Sequence, residues 1–292
     1  MKILLIGCNG QLGRELRRSL ACLGEVVAVD SDQLDLANSR AVRDAVRAMK
    51  PTAIVNAAAY TAVDKAEAEP ALAEAVNAAA PGILAEEAKR LGALLIHYST
   101  DYVFDGTKQT PYTEDDIPAP LAAYGRSKLA GEQAVSAAGG RHLIFRTSWV
   151  FGLHGANFMK TMLRLGRERD ELRAPLRVVG DQVGAPTWTR HLADVAALTL
   201  ARREIPSGLY HLANAGETSW YGYAEAIFAE ALRAGLMEKV PTVHRITSAD
   251  YPLPAARPAN SRLDCSRFRR DFGLALPDWR TGLIDCLADA RF

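Results

Sequence analysis

The sequence predicts an α/β protein in which a doubly wound parallel sheet is accompanied by a smaller α/β unit. Three observations predict it. Short apolar strands alternate with helical segments through the first half of the chain, a glycine-rich turn follows the first strand directly, and the regular beat stops after Trp149. Such alternation is the pattern of a parallel sheet covered on both faces. At 292 residues the chain has length for one large domain and a smaller companion.

Lys2 to Ile6 form the first apolar run, followed by Gly7-Cys-Asn-Gly10-Gln-Leu-Gly13 and a helical pattern with Leu12, Leu16, Leu20 and Leu23 apolar. Strand, glycine turn and helix in this order suit a dinucleotide pyrophosphate, which must approach the backbone closely and rest on amides at a helix N-terminus. The second strand, Val26 to Val29, ends in Asp30, where a carboxylate can take both hydroxyls of an adenosine ribose. A Rossmann-type dinucleotide-binding arrangement follows. Further strands are expected at Ala53 to Ala57, Ala93 to His97 and His142 to Phe145. The alanine-rich segment Ala71 to Leu91 reads as a helix kinked or broken by Pro81-Gly82. Beyond Trp149, strand-like pieces at Arg177 to Val179 and Gly208 to Leu212 are expected to return to the sheet, and Val240 to Pro258 reads as irregular surface. The expected division gives residues 1–150 with 176–215 to the dinucleotide-binding domain and 151–175 with 216–292 to a substrate domain.

Composition is that of an ordinary globule, 49% hydrophobic and 24% charged. A net charge of +1 argues against a nucleic-acid or membrane surface as partner. Cys8, Cys22, Cys265 and Cys286 lack CxxC spacing and a histidine cluster, so they read as free thiols in a reducing compartment. The N-terminal apolar run is too short for a signal peptide or a membrane span, which makes the cytoplasm the expected location.

The chemistry concentrates at Tyr124-Gly-Arg-Ser-Lys128. Residues four apart share a helix face, so a phenol and an ammonium would meet in one pocket, and the cation would draw the phenol's pKa down toward the working range. With nine tyrosines in the chain, this spacing arises by chance about one time in four, so it gains weight only from its surroundings. The expected strand ending near His97 runs into Tyr98-Ser99-Thr100-Asp101-Tyr102 at the same rim. Because strand side chains alternate, Ser99 and Thr100 cannot both face one pocket.

These features, with the blocks Asn56 to Glu67, His97 to Gly106, Phe145 to Val150, Asp181 to Thr187 and Arg257 to Leu263, resemble the extended short-chain dehydrogenase/reductase superfamily and, within it, the dTDP-4-dehydrorhamnose reductases. The resemblance spans essentially the whole chain. It implies transfer of hydride from NAD(P)H to the C4 ketone of a dTDP-6-deoxyhexulose, a dTDP-sugar substrate. Tyr124 would protonate the developing alkoxide, Lys128 would hold the nicotinamide ribose and tune the phenol, and Thr100 would be the hydroxyl beside it. Gly7, Asn9, Gly10, Gln11, Leu12, Gly13, Asp30, Asp35, Leu36, Ala59 and Thr61 would line the cofactor together with Tyr98, Tyr124 and Lys128. Thr100, Asp101 and Trp149 would contact the sugar nucleotide; the indole of Trp149 offers a flat apolar face, although a core tryptophan would occur in the same place.

Tyr102 stands where the dehydratases of the superfamily carry a glutamate, so elimination lacks an acid–base partner and carbonyl reduction remains. Arg257 and Asn260 suit either a pyrophosphate or a structural tie, and Asn157 and Thr187 are open in the same way. Glu15 stands where some family members bind Mg2+ at a dimer contact, although a lone helix carboxylate otherwise reads as solvated. The same resemblance leaves room for a homodimer. Asp30 should repel a 2′-phosphate and favour NADH, whereas Arg14, Arg17 and Arg18 could offset it. The expected cofactor is NADPH with NADH tolerated. Two other readings stand beside reduction: a related ketosugar reductase or epimerase, and a non-catalytic subunit resembling the regulatory subunit of methionine adenosyltransferase. A pure binding module has no physical reason to keep Thr100, Tyr124 and Lys128 at catalytic spacing.

Overall fold

A computed structural model of the chain describes residues 1–172 and 175–290. Residues 173–174 and 291–292, which the sequence reading gives to the substrate domain, lie outside the described residues. In chain order the first elements are β1 (Lys2–Ile6), α1 (Gln11–Leu20), β2 (Glu25–Val29), α2 (Ser39–Met49), β3 (Ala53–Asn56), α3 (Val63–Ala66), α4 (Pro70–Glu74), α5 (Ala80–Leu91), β4 (Leu94–Thr100), α6 (Ala123–Ala138) and β5 (His142–Thr147). The remainder holds β6 (Val150–Phe151), α7 (Phe158–Leu172), β7 (Leu176–Val179), β8 (Val183–Gly184), β9 (Thr187–Trp188), α8 (Thr189–Leu200), β10 (Gly208–His211), β11 (Thr218–Ser219), α9 (Trp220–Arg233), β12 (Val243–Ile246), α10 (Ser266–Phe272) and α11 (Trp279–Ala288).

Six parallel strands form the central sheet in the order β10-β5-β4-β3-β1-β2. The chain leaves β1 for β2 on one side and resumes at β3 on the other, so the winding reverses between β1 and β3. The crevice outside the carboxyl ends of strands at such a reversal is where open α/β sheets bind ligands. Alternation along β1 sorts its side chains into two cores. Ile3 and Leu5 pack with Leu16, Leu192 and Phe268 on one face, while Leu4 and Ile6 pack with Val42, Leu84 and Val135 on the other. The doubly wound sheet predicted from the sequence is thus present. A third apolar cluster gathers Met159, Leu163, Leu176, Tyr223, Phe228 and Leu283 from α7, β7, α9 and α11.

Three expectations need correction. Gly208–His211 joins the sheet beside β5, but Leu176–Val179 pairs with β12 instead, because Leu176 and Val178 are buried in the third cluster. The segment expected to be irregular therefore contains a strand, Val243–Ile246. The alanine-rich helix is not broken at Pro81: Ala75–Ala79 widens into one π turn and α5 begins at Ala80 with Pro81 in its first turn. The π turn directly before Pro81 loosens the i→i−4 ladder where the proline ring and its missing N–H would otherwise break a continuous helix. The π turn aims Asn77 at the loop after β3, where its side chain accepts from Tyr60 N at 2.8 Å and donates to Tyr60 O at 3.0 Å.

Candidate active site

The glycine turn is a cradle of backbone. Gly7 lies at φ +81°, and a Cβ on Gly13 would stand 1.9 Å from the Gly7 carbonyl oxygen, so only glycine lets α1 pack against β1. No side chain caps α1, and Asn9 and Gly10 are exposed. Uncapped amides at a helix start suit a pyrophosphate, so these residues fit a dinucleotide. Asp30 sits at the end of β2, and its Oδ2 accepts from Asn9 N at 2.7 Å, tying the turn to the neighbouring strand. Asp35 is exposed and accepts from Ala37 N at 2.9 Å, whereas the Leu36 side chain is buried in the sheet-face core. Ala59, half-buried, and Thr61, exposed, lie in the loop after β3 across the same crevice. Gln11 and Leu12 open α1; the Gln11 amide oxygen accepts from Asn157 Nδ2 at 2.8 Å, which ties its side chain to the start of α7.

At the carboxyl end of β4, alternation separates two hydroxyls as expected. Ser99 donates to Glu132 Oε1 at 2.5 Å, in a buried ion pair in which Arg146 reaches both glutamate oxygens at 2.9 and 2.6 Å. Thr100 lies on the other side, donating to Asp101 Oδ1 at 3.1 Å and accepting from Tyr102 N at 3.1 Å, with the Tyr124 phenol close enough to feel its hydroxyl. The Tyr102 ring meets Tyr124 edge-on, 5.7 Å between centroids. Tyr98 packs on Phe145 and its hydroxyl is buried with no partner among the described residues.

One helix face carries Tyr124, Lys128 and Glu132, each four residues from the next. Lys128 is buried, and its ammonium nitrogen donates to the Tyr98 carbonyl at 2.6 Å with His97 Nε2 at 3.4 Å. Burial holds Lys128 down at about 8, although the Glu132 carboxylate pulls it up. The expectation that the ammonium lowers the phenol does not hold here. Burial pushes Tyr124 up to about 12, assisted by Asp101, while the nearby Thr100 hydroxyl pulls it down. Lys128 is turned to the strand carbonyl, so its charge is not among the influences on the phenol. A phenol raised in this way is fully protonated at neutral pH, the form that a proton donor needs. Asp101 is buried as well, and burial pushes its carboxyl up to about 6 against the pull of the Ser261 and Thr100 hydroxyls; Thr100 donates to Oδ1, while Oδ2 has no partner among the described residues.

The family profile described as RmlD substrate binding domain matches residues 1–292. The chain is 50% identical to the dTDP-4-dehydrorhamnose reductase of Burkholderia thailandensis, with 99% of each chain covered. It is 42% identical to the probable dTDP-4,6-dihydroxy-2-methyloxan-3-one 4-ketoreductase of Streptomyces antibioticus, covering 99% of this chain and 95% of that one. It superposes on the crystal structure of dTDP-4-dehydrorhamnose reductase from Bacillus anthracis in complex with NADP at a TM-score of 0.91, 35% identity and 99% coverage of both chains. The chain belongs to the dTDP-4-dehydrorhamnose reductase family.

In this family member Trp149 is half-buried and lies at φ +47°, a backbone region that a bulky side chain rarely adopts. Its indole stacks on Trp220 with 3.6 Å between centroids and 10° between planes, and Gly184 leaves room at its edge, where a Cβ would lie 2.6 Å from Trp149 Cε2. Trp220 is fixed in turn by donating Nε1 to Gln182 Oε1 at 3.1 Å. Arg257 takes the structural alternative, pairing with both oxygens of Asp64 at 3.2 and 2.9 Å. Asn260 does likewise, donating to the carbonyls of Lys108 and Thr110. Asn157 bonds Gln11 and starts α7, and the Thr187 hydroxyl is fully buried against Ala185 O. Glu15 is buried rather than solvated, its oxygens held by Arg18 and Arg190. Arg18 is committed there and to Asp194, whereas Arg14 donates to Asn9 O at the glycine turn. All four cysteines are free thiols.

Sequence reasoning missed Glu132, Arg146, His97, Asn56, Ser261 and Trp220. Glu132 was within reach, since extending the Tyr124–Lys128 stripe by four residues finds it. Trp220 gives no local signal, because its partner comes from a distant part of the chain.

Proposed function

We propose that this protein reduces the C4 ketone of dTDP-6-deoxy-L-lyxo-4-hexulose, dTDP-4-dehydrorhamnose, to dTDP-L-rhamnose, using NADPH and tolerating NADH. The observation that carries the reading is the placement of the Tyr124 phenol beside Thr100 at the carboxyl end of β4, with Lys128 one turn below on the same helix face and bonded to the Tyr98 carbonyl. NAD(P)H, when bound, supplies hydride to the C4 carbon. Thr100 orients the C4 oxygen, and Tyr124 transfers its phenolic proton to that oxygen, leaving the alcohol and a phenolate. Lys128 would hold the ribose and compensate the phenolate. Gly7, Asn9 to Gly13, Asp30, Asp35, Leu36, Ala59 and Thr61 would line the dinucleotide, with Tyr98 toward the nicotinamide. Asp101 and Trp149 would contact the sugar nucleotide. Arg14 at the glycine turn supports acceptance of a 2′-phosphate despite Asp30.

We keep the two-domain division as part of this proposal: the third apolar cluster supports a separate substrate-binding unit. No described helix is long and apolar enough to cross a membrane, which fits a cytoplasmic enzyme. The test is Tyr124→Phe, expected to lower kcat by about 10²- to 10⁴-fold with the ketosugar nucleotide while leaving NADPH affinity within about twofold of wild type. Unchanged turnover would show that another group is the acid. The 42% identity to the Streptomyces relative favours one second reading, reduction of a different dTDP-ketosugar. Turnover on a panel of nucleotide ketosugars, with the product's C4 configuration determined, separates the two.

A further inference from the structure

Beneath Lys128 lies a buried polar chain that the proposed reaction does not use. It runs from Asn56 at the end of β3 through His97 on β4 to the lysine nitrogen, and all three residues are buried. The Ala58 backbone N–H, which can only donate, lies 3.2 Å from Asn56 Oδ1. That contact orients the amide: the atom 3.2 Å from His97 Nδ1 is Asn56 Nδ2, also a donor. His97 Nδ1 must therefore accept. A neutral imidazole whose Nδ1 accepts carries its hydrogen on Nε2, the nitrogen 3.4 Å from Lys128 Nζ.

We infer that His97 is a positioning residue for Lys128: Asn56 locks its tautomer so that an N–H, not a lone pair, faces the lysine nitrogen. An ammonium in that place meets donor against donor and has the Tyr98 carbonyl as its acceptor at 2.6 Å. A neutral amine satisfies both neighbours, since it accepts from His97 Nε2–H and still donates to Tyr98 O. The contact biases Lys128 toward easy loss of its proton, in the same direction as its burial. His97 cannot relieve the conflict by taking a charge, because burial and the adjacent lysine hold its own pKa well below the usual value. The other groups facing Lys128 are on α6: Tyr124 one turn before it and Glu132 one turn after, the latter already neutralised by Arg146 of β5. Lys128 thus reaches the nicotinamide side as a group that changes charge close to working pH. This consequence rests on the function proposed above, in which the ammonium compensates the Tyr124 phenolate; the tautomer does not.

The decisive measurement is made on the ligand-free, full-length protein labelled with ¹⁵N-histidine. Long-range ¹⁵N–¹H correlation at pH 7 should give the His97 signal, assigned by its loss in His97→Leu, as neutral with the hydrogen on Nε2. A hydrogen on Nδ1, or an imidazolium, overturns the inference whatever the enzyme's activity. The second arm is the pH profile of kcat. Wild type should lose turnover on the alkaline side near pH 8, and removal of the opposing N–H in His97→Leu should move that limb upward on the order of one unit. A folded His97→Leu with an unmoved limb would mean that the histidine only fills space. Unchanged turnover in Tyr124→Phe would overturn the function proposed above and leave the His97 tautomer untouched, so the two proposals fail separately.

Discussion

The α6 site and the Trp149 region are built by different means. At α6 one helix stripe places Tyr124, Lys128 and Glu132 against the end of β4: Lys128 is fixed by the Tyr98 carbonyl, Glu132 by Ser99 with Arg146, and the Tyr124 ring lies beside Thr100 and edge-on to Tyr102. At Trp149 the backbone is strained, and the indole is held by a stack on Trp220 and by the absence of a side chain at Gly184. The first region draws its rigidity from satisfied buried polar groups, the second from aromatic packing between distant segments. Buried polar networks fail steeply when one partner is removed, whereas apolar stacking degrades gradually. The expected responses to substitution divide along the same line.

The largest effect is expected at Arg146. Replacing it with methionine leaves Glu132 buried with the Ser99 hydroxyl as its remaining partner, and breaking one side of a buried pair costs about 3–5 kcal/mol. Urea unfolding at pH 7 would show it. If Glu132→Leu in the same background restores most of the stability, the pair serves geometry more than stability; a loss below about 1 kcal/mol for Arg146→Met alone would contradict this account of how α6 is anchored.

Gly13→Ala is expected to cost about 3 kcal/mol, the upper end for overpacking, because its Cβ would lie 1.9 Å from a backbone oxygen that cannot step aside. Gly10→Ala is the control: its Cβ would lie 3.3 Å from the same Gly7 oxygen, so a small adjustment suffices. Thermal unfolding and NADPH titration of the two variants should rank them clearly, and equal behaviour would mean that α1 does not depend on close packing against the turn.

These two cases also show what a sequence reveals. The strand–turn–helix at Gly7 to Gly13 and the central sheet were legible because their signals are local: apolar runs, glycine spacing and helix periodicity. The placement of Tyr124 and Thr100 at one rim, and the separation of Ser99 from Thr100, were legible because strand ends and helix faces follow fixed periods. The pairing of β7 with β12 was not, since four apolar-leaning residues look alike whether they enter one sheet or another. Nor was the raised phenol of Tyr124, because a charge four residues away was weighed without knowing that its nitrogen would turn to the Tyr98 carbonyl. Arg257 could be read as a phosphate ligand until Asp64, far off in sequence, was seen beside it.

Asp101 offers a smaller, pH-dependent effect. Its carboxyl is held up at about 6 in the folded protein against an ordinary value of 3.8, so the unfolded chain ionises first as pH rises. Stability is therefore lost between these two values and the penalty is complete above pH 6. Asp101→Asn should raise stability by about 2 kcal/mol at pH 8, somewhat less than the full shift implies, and by little at pH 4. A gain of equal size at both pH values would remove ionisation as the cause.

The smallest effect is expected from Trp220, and it bears directly on the contrast between the two regions. The positive φ of Trp149 is offset by contacts, among them the stack on Trp220. An aromatic pair contributes about 0.5–1.5 kcal/mol beyond its buried area. Removing Trp220 should let Trp149 relax, and because this indole is proposed to contact the sugar nucleotide, the loss should appear in substrate binding: KM up about fivefold in Trp220→Ala, with kcat within about twofold. Trp220→Phe keeps a stacking face but drops the bond to Gln182, so it should recover most of the binding. A fall in kcat with KM unchanged would place Trp149 outside the substrate wall, because a residue that only binds the sugar nucleotide has no reason to alter proton or hydride transfer at Tyr124.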